Sequence, residues 1–268
     1  MGDRVVVVGG GVMGSALAEA VRAAGYGSGD VVVVEPDPAR AAALAVAADV
    51  TVQVDLGVVP EAQVVVLAVK PHVVPHVLAQ VASGLAPGAL VVSVAAGVPL
   101  AVYERALPPG TPVVRVMPNT PALVGKGVAA LAAGTAATEE HLATAERLLA
   151  ATGLVVRVAE PDLDAVTAVS GSGPAYAFYL IDAMAEAGVL LGLSRDLALR
   201  LAAATVEGAG ALAVRTGDHP AVLRERVSSP GGTTVAAVAE LDAHGVRAGV
   251  VAAARAAHAR SVELGQPS

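Results

Sequence analysis

Along its first 160 residues the chain repeats one rhythm: a short, almost unbroken apolar run, then an Ala-rich stretch with polar residues at helical spacing. Arg4–Val8 predicts a strand, Val12–Ala24 a helix, Val31–Val34 a second strand and Ala39–Ala48 a second helix. Thr51–Val54 is a weaker third strand and Val64–Val69 a fourth, while Val91–Val94 and Val113–Val116 continue the series. Gly127–Ala132 and Leu154–Val158 extend the same sheet. Strands that are apolar at successive positions are covered on both faces, the situation of a parallel sheet between helix layers.

The pattern changes near Asp162. Asp164–Leu191, Arg195–Thr216, His219–Val227 and Thr233–Leu264 are long Ala- and Leu-rich stretches with charges at helical spacing. We therefore expect an α/β domain over residues 1–160 and an all-α domain over 161–268, joined by a hinge at Glu160-Pro161-Asp162. Three of the five aromatic residues, Tyr176, Phe178 and Tyr179, cluster in the first helical stretch. They fit either local core packing or a subunit interface, and helices this apolar suggest a homo-oligomer.

Composition narrows the chemistry. With 55% apolar and 15% charged residues, the composition argues against disorder. Pro71–Tyr103 carries no Asp, Glu, Lys or Arg, but its Gly, Pro, His and Ser residues break it into pieces too short to span a bilayer, so no membrane segment is expected. The Arg4–Val8 run is too short for a signal-peptide core, which makes a cytoplasmic location the expectation. A formal charge of −7 argues against nucleic acid as a partner. The absence of Cys removes thiolate metal sites and a thiol nucleophile, and no metal is expected. Lys70 and Lys126 are the only lysines, so a lysine-dependent mechanism has two candidates.

Gly9-Gly10-Gly11-Val12-Met13-Gly14 sits between a buried strand and a helix. Gly9, Gly11 and Gly14 give the G-x-G-x-x-G spacing: a tight turn, backbone approach to a pyrophosphate, and close helix–strand packing. The N–H groups of Val12, Met13 and Gly14 open a helix whose positive end suits phosphate. Glu35 closes strand two at the distance expected of a ribose-binding carboxylate. A carboxylate there accepts from both ribose hydroxyls and repels a 2′-phosphate, which favours NADH over NADPH. The alternative is a solvated cap residue turned away from the crevice. With this motif the fold class reads as a Rossmann domain with a mostly parallel sheet, followed by an all-α dimerisation domain. Loops at other strand ends should line the same crevice: Ala68-Val69-Lys70-Pro71, Ser93 to Gly97 with Ala95 and Ala96, and Met117 to Pro121 with Asn119.

Four segments then carry a resemblance along nearly the whole chain: Ala68–Pro71, Arg115–Pro121, Ser170–Tyr176 and Val227–Thr234. In order and spacing they are similar to pyrroline-5-carboxylate reductase. The resemblance implies NAD(P)H-dependent reduction of (S)-1-pyrroline-5-carboxylate to L-proline, and a helical domain that forms dimers or assemblies of dimers. It further implies that Val227–Thr234 binds substrate, with Ser229, Thr233 and Thr234 around its carboxylate and ring nitrogen, Thr234 being the catalytic candidate. Glu160 falls near the substrate on this reading, and Asp55 near the adenosine. Many relatives prefer NADPH and lack an acid at the end of strand two, so Glu35 departs from them. From the residues alone, Gly231 and Gly232 ahead of a helix offer N–H groups to an anion, and a plain cap by Ser229 or Thr233 accounts for the same segment. The rival readings are a non-catalytic NAD(P)H sensor, a deazaflavin-dependent reductase, and a related imine or hydroxyacid oxidoreductase. The hydroxyacid rival uses a lysine in its second domain, where this chain has none.

Overall fold

The computed structural model describes residues 4–266, which fall into two compact units: unit 1 is residues up to Gly171 together with the segment from His258, and unit 2 is Ser172–Ala257.

Unit 1 is built on an eight-stranded sheet of order β3-β2-β1-β4-β5-β6-β7-β8. Its strands are β1 Val5–Val8, β2 Val31–Val34, β3 Thr51–Gln53, β4 Val64–Leu67, β5 Leu90–Ser93, β6 Val113–Pro118, β7 Gly127–Ala133 and β8 Gly153–Arg157. Every pairing is parallel except β6 with β7. The helices of this unit are α1 Val12–Ala23, α2 Pro38–Ala47, α3 Val74–Gly84, α4 Leu100–Ala106, α5 Glu139–Leu149 and α6 Leu163–Val166.

The four valines of β1 show why the apolar runs are continuous. Val5 and Val7 join Leu17, Val21 and Leu148 on one face, while Val6 and Val8 join Leu78, Leu100 and Tyr103 on the other. Two-residue periodicity thus feeds two cores at once. Burying each valine contributes about 1.5–3 kcal/mol, so the short central strands hold through packing as well as ladder bonds.

The hinge expected at Glu160-Pro161-Asp162 lies inside unit 1. Leu163 follows at once and is buried in the second core, which keeps this segment on the sheet. The chain leaves unit 1 after a π-helical turn at Thr167–Gly171.

Unit 2 contains α7 Gly173–Leu190, α8 Arg195–Thr216, α9 Pro220–Arg226, α10 Thr233–Ala243 and the first part of α11 Val246–Leu264. The run expected as one helix over Thr233–Leu264 breaks at His244-Gly245, where Gly245 takes φ +68°. Within this unit α7 and α8 pack through Ala185, Ala198 and Ala202, and a Cβ on Gly188 would lie 2.9 Å from that of Ala198. Almost nothing else in it is buried. Phe178 and Tyr179 are 63% and 81% exposed, so local core packing does not account for them. By length and composition alone α8 is apolar enough to cross a membrane; the uncharged stretch Pro71–Tyr103, by contrast, contains a strand and two helices.

Candidate active site

At the C-terminal ends of β1, β2 and β4 the structure draws three separate sequence segments together. Gly9 has φ +105°, and a Cβ there would lie 2.8 Å from the carbonyl oxygen of Ala68. A Cβ on Gly14 would strike the carbonyl of Gly9, so α1 approaches β1 only with glycine at that place. Gly11 differs: a Cβ there meets nothing within 4 Å. Gly11 is also the N-cap of α1 and no side chain caps the helix, while Val12 beside it is 66% exposed. Open space beside an uncapped helix N-terminus is what a pyrophosphate needs. The glycine turn therefore fits a dinucleotide, with Gly11, Val12, Met13 and Gly14 as the backbone that would hold it.

Gly10 does not belong to the three-glycine pattern, yet it is the residue tied to Glu35. Its N–H donates to Glu35 Oε2 at 3.1 Å, and a Cβ on Gly10 would lie 2.9 Å from that of Glu35. Glu35 Oε1 accepts the N–H of Asp37 at 2.9 Å and Arg40 Nη2 at 2.8 Å. Glu35 is thus buried, and the solvated cap is instead Asp37, which receives the N–H of Arg40. Burial alone would push the Glu35 carboxyl up. The Arg40 guanidinium and the two backbone N–H groups outweigh it and hold the group below the usual carboxylate range.

The neighbouring loops are placed as follows. Ala68 bonds back to the Val8 carbonyl, Val69 lies beside Gly9, and exposed Lys70 leads through Pro71 into a short 3-10 turn. Ala95 is buried, Ala96 is exposed, and Gly97 takes φ +73°. Asp55, past the end of β3, accepts the Gly57 N–H at 2.8 Å and caps the turn that follows.

Asn119 joins two of the segments that sequence could only quote separately. Its Oδ1 accepts the Val128 N–H at 2.8 Å, and its Nδ2 donates to the carbonyl and hydroxyl oxygens of Ser170, each at 3.1 Å. A Cβ on Gly171 would lie 2.6 Å from the Met117 methyl carbon. The end of β6 is thereby fastened to the π-helical turn. Glu160 is also committed within unit 1: its Oε1 accepts the Leu100 N–H at 2.6 Å and Arg115 Nη1 at 2.9 Å. Sequence reading passed over the anchoring roles of Gly10, Arg115 and Ser170, because each depends on a partner dozens of residues away.

In unit 2, Val227 follows α9 and is 63% exposed. Ser228 bonds back to α9, and the Gly232 N–H donates to the Ser229 carbonyl at 2.9 Å. Gly231 takes φ +70°, and a Cβ on Gly232 would collide with the Ser229 hydroxyl. The N-cap of α10 is Gly232, and no side chain caps that helix. Neither Ser229 nor Thr233 fills the capping role, so the first-turn N–H groups around Thr233 and Thr234 are left for another acceptor.

Comparison with known proteins agrees with this arrangement. Residues 160–264 match the family described as pyrroline-5-carboxylate reductase dimerisation, and residues 4–97 match NADP oxidoreductase, coenzyme F420-dependent. The second match stops within unit 1, so the deazaflavin rival accounts for the glycine turn but not for the rest. The chain is 43% identical over 268 residues to pyrroline-5-carboxylate reductase of Synechocystis sp., covering 99% of this chain and 100% of that one. It is 42% identical to the enzyme of that name from Methanosarcina acetivorans, covering 98% of each. Among solved structures, a pyrroline-5-carboxylate reductase from Coxiella burnetii superposes with TM-score 0.92 at 34% identity, covering 99% of both chains. A Plasmodium falciparum pyrroline carboxylate reductase with NADP bound gives 0.87 at 26% identity and 98% coverage of both. The 3-hydroxyisobutyrate dehydrogenase of Mycobacterium tuberculosis, of the rival hydroxyacid type, reaches 0.51 at 21% identity, a likeness of fold alone. The chain belongs to the pyrroline-5-carboxylate reductase family.

Proposed function

We propose that this protein reduces (S)-1-pyrroline-5-carboxylate to L-proline with NAD(P)H, the last step of proline biosynthesis. One observation carries the site assignment beyond family membership: the uncapped N-terminus of α10 behind Gly231-Gly232-Thr233-Thr234. A small carboxylate needs positive potential without bulk, and free N–H groups at a helix start provide it. Val227 and Ser229 flank that cradle, and Thr234 places a hydroxyl for the ring nitrogen. When bound, the reduced nicotinamide supplies the hydride that the imine carbon accepts. A cyclic imine is basic enough to arrive partly protonated, so the chain needs no strong general acid. Holding two reactants in register can by itself lower the barrier by about 7–11 kcal/mol. Gly9 to Gly14, Ala68 to Pro71, Ala95 to Gly97 and Asn119 form or brace the cofactor's crevice on this reading. Glu160 acts through Arg115 and Leu100, and Asp55 sits on the adenosine side.

We assign NADH as the preferred cofactor. Glu35 and Asp37 put two carboxylates just past β2, and Arg40, which pairs with both, offsets them only in part; on this reading they repel a 2′-phosphate. The functional unit is a homodimer or an assembly of dimers, with α7 and α8 at its interface, and its location is the cytoplasm. Steady-state reduction of pyrroline-5-carboxylate with NADH and NADPH side by side tests the reading. Cofactor binding without turnover would instead mark a nucleotide sensor.

A further inference from the structure

The loop between β5 and α4 rests on a buried polar pair. Ser93 at the end of β5 and Tyr103 on α4 are both 0% exposed, with their hydroxyl oxygens 2.6 Å apart. Around them Leu67, Val91, Leu100 and Val113 form an apolar core. A phenylalanine would fill the same space with no hydroxyl to desolvate, so packing alone does not call for the pair. Ser93 Oγ also accepts the N–H of Ala95 at 3.3 Å, which carries the tie into the loop. Burial pushes the Tyr103 hydroxyl up to about 12, so it keeps its proton at neutral pH and the tie is not a pH switch.

The other end of the loop is fixed as well. The Leu100 N–H donates to Glu160, and a Cβ on Gly97 would lie 3.4 Å from that of Leu264 near the end of α11. Strand order reverses between β1 and β4, and the glycine turn and Glu35 occupy the adenosine side of that switch. The β5 loop stands on the opposite side, where the second mononucleotide lies. We propose that Tyr103 is a positioning residue for the nicotinamide half of the cofactor, acting through Ser93 on Ala95, Ala96 and Gly97. The inference rests on the dinucleotide reading given above.

Fluorescence titration of NADH and NADPH, beside calorimetric titration of ADP-ribose and its 2′-phosphate, tests it on wild type, Tyr103→Phe, Ser93→Ala and the double variant. ADP-ribose keeps the adenosine and pyrophosphate but has no nicotinamide ring. Tyr103→Phe should bind the dinucleotide about three- to tenfold more weakly, the size of one lost hydrogen bond, and Ser93→Ala, which also loses the Ala95 N–H bond, at least as weakly, with ADP-ribose affinity unchanged in both. The double variant should bind no worse than Ser93→Ala, which already removes the bond to Tyr103. Wild-type dinucleotide affinity in a folded Tyr103→Phe, or equal losses for both kinds of nucleotide, would overturn the proposal. If Tyr103→Phe does not fold, Ser93→Ala tests the tie from its loop end, and wild-type dinucleotide affinity there overturns the proposal equally. Wild-type protein that binds none of these nucleotides would defeat the dinucleotide reading, and the positioning role with it.

Discussion

Two demands meet on the carboxylate of Glu35. It braces the glycine turn through the Gly10 N–H, and on the proposed reading it also binds the adenosine ribose. Glu35→Ser should therefore act on both cofactors at once, and the informative quantity is their ratio. Removing the negative charge and releasing Arg40 should raise kcat/KM for NADPH relative to NADH by roughly 1–3 kcal/mol in activation free energy, while the lost brace weakens both. An unchanged ratio would show that the carboxylate does not read the ribose. The sign of its pH dependence follows from the lowered folded-state value. The stability that Glu35 contributes is present above its unfolded value, near the reference 4.5, and is lost as pH falls through the folded one. Denaturation midpoints compared between wild type and Glu35→Gln should converge in acid and diverge toward neutral pH. At Thr234 the expectation is simpler: Thr234→Ala should cost about 1–3 kcal/mol in kcat/KM for the imine and leave cofactor affinity nearly unchanged. Wild-type kinetics in that variant would remove its hydroxyl from the mechanism.

Between residues and the whole molecule, the elements differ in how far local sequence specifies them. The valine runs of β1, β2 and β4 were legible because burial on both faces leaves an unbroken apolar signature, and Arg195–Thr216 because its charges recur at helical spacing; the structure adds a Ser194 cap and a left-handed stop at Gly217. The break in the last helical run rests on one glycine, Gly245, inside an otherwise good helix former, and periodicity passes over such a point. The glycine turn was visible as spacing, and so were the separate roles of Gly9, Gly11 and Gly14; the tie of Gly10 to Glu35 and the contact of Gly9 with Ala68 were not, since they join different strands. Those contacts give a paired prediction. Gly14→Ala should destabilise the fold by about 1–3 kcal/mol or more, because the added methyl collides with the Gly9 carbonyl. Gly11→Ala should leave the thermal midpoint nearly unchanged and weaken NAD(P)H binding, because its methyl enters open space that the pyrophosphate would use. Melting curves and cofactor titrations on both variants separate the two roles. The reverse pattern would mean that Gly11 is the packing glycine and Gly14 the ligand-facing one.

At the scale of the molecule the two units are unequal in what they bury. Unit 1 sandwiches its sheet between two apolar cores, whereas unit 2 encloses Ala185, Ala198 and Ala202 and leaves Phe178, Tyr179, Leu190, Leu191 and Val214 at its surface. Exposed apolar area on that scale marks an interaction surface in a folded protein. The proposed interface would account for the membrane-like composition of α8, since a helix between subunits faces no more water than one in lipid. The dimerisation family matched over residues 160–264 makes a second copy of this chain the partner. Stability should then depend on protein concentration, because association with a second subunit stabilises the folded protomer by mass action. Light scattering at micromolar concentration should report a dimer or a multiple of one, and the thermal midpoint should rise with concentration. Replacing Phe178 and Tyr179 with Asp would place desolvated, unpaired charges in the interface. That double variant should dissociate or unfold, with loss of imine reduction, while the glycine turn of any folded fraction still binds nucleotide. A monomer with full activity and a concentration-independent midpoint would leave the apolar helices without their partner, and the oligomeric reading would fall.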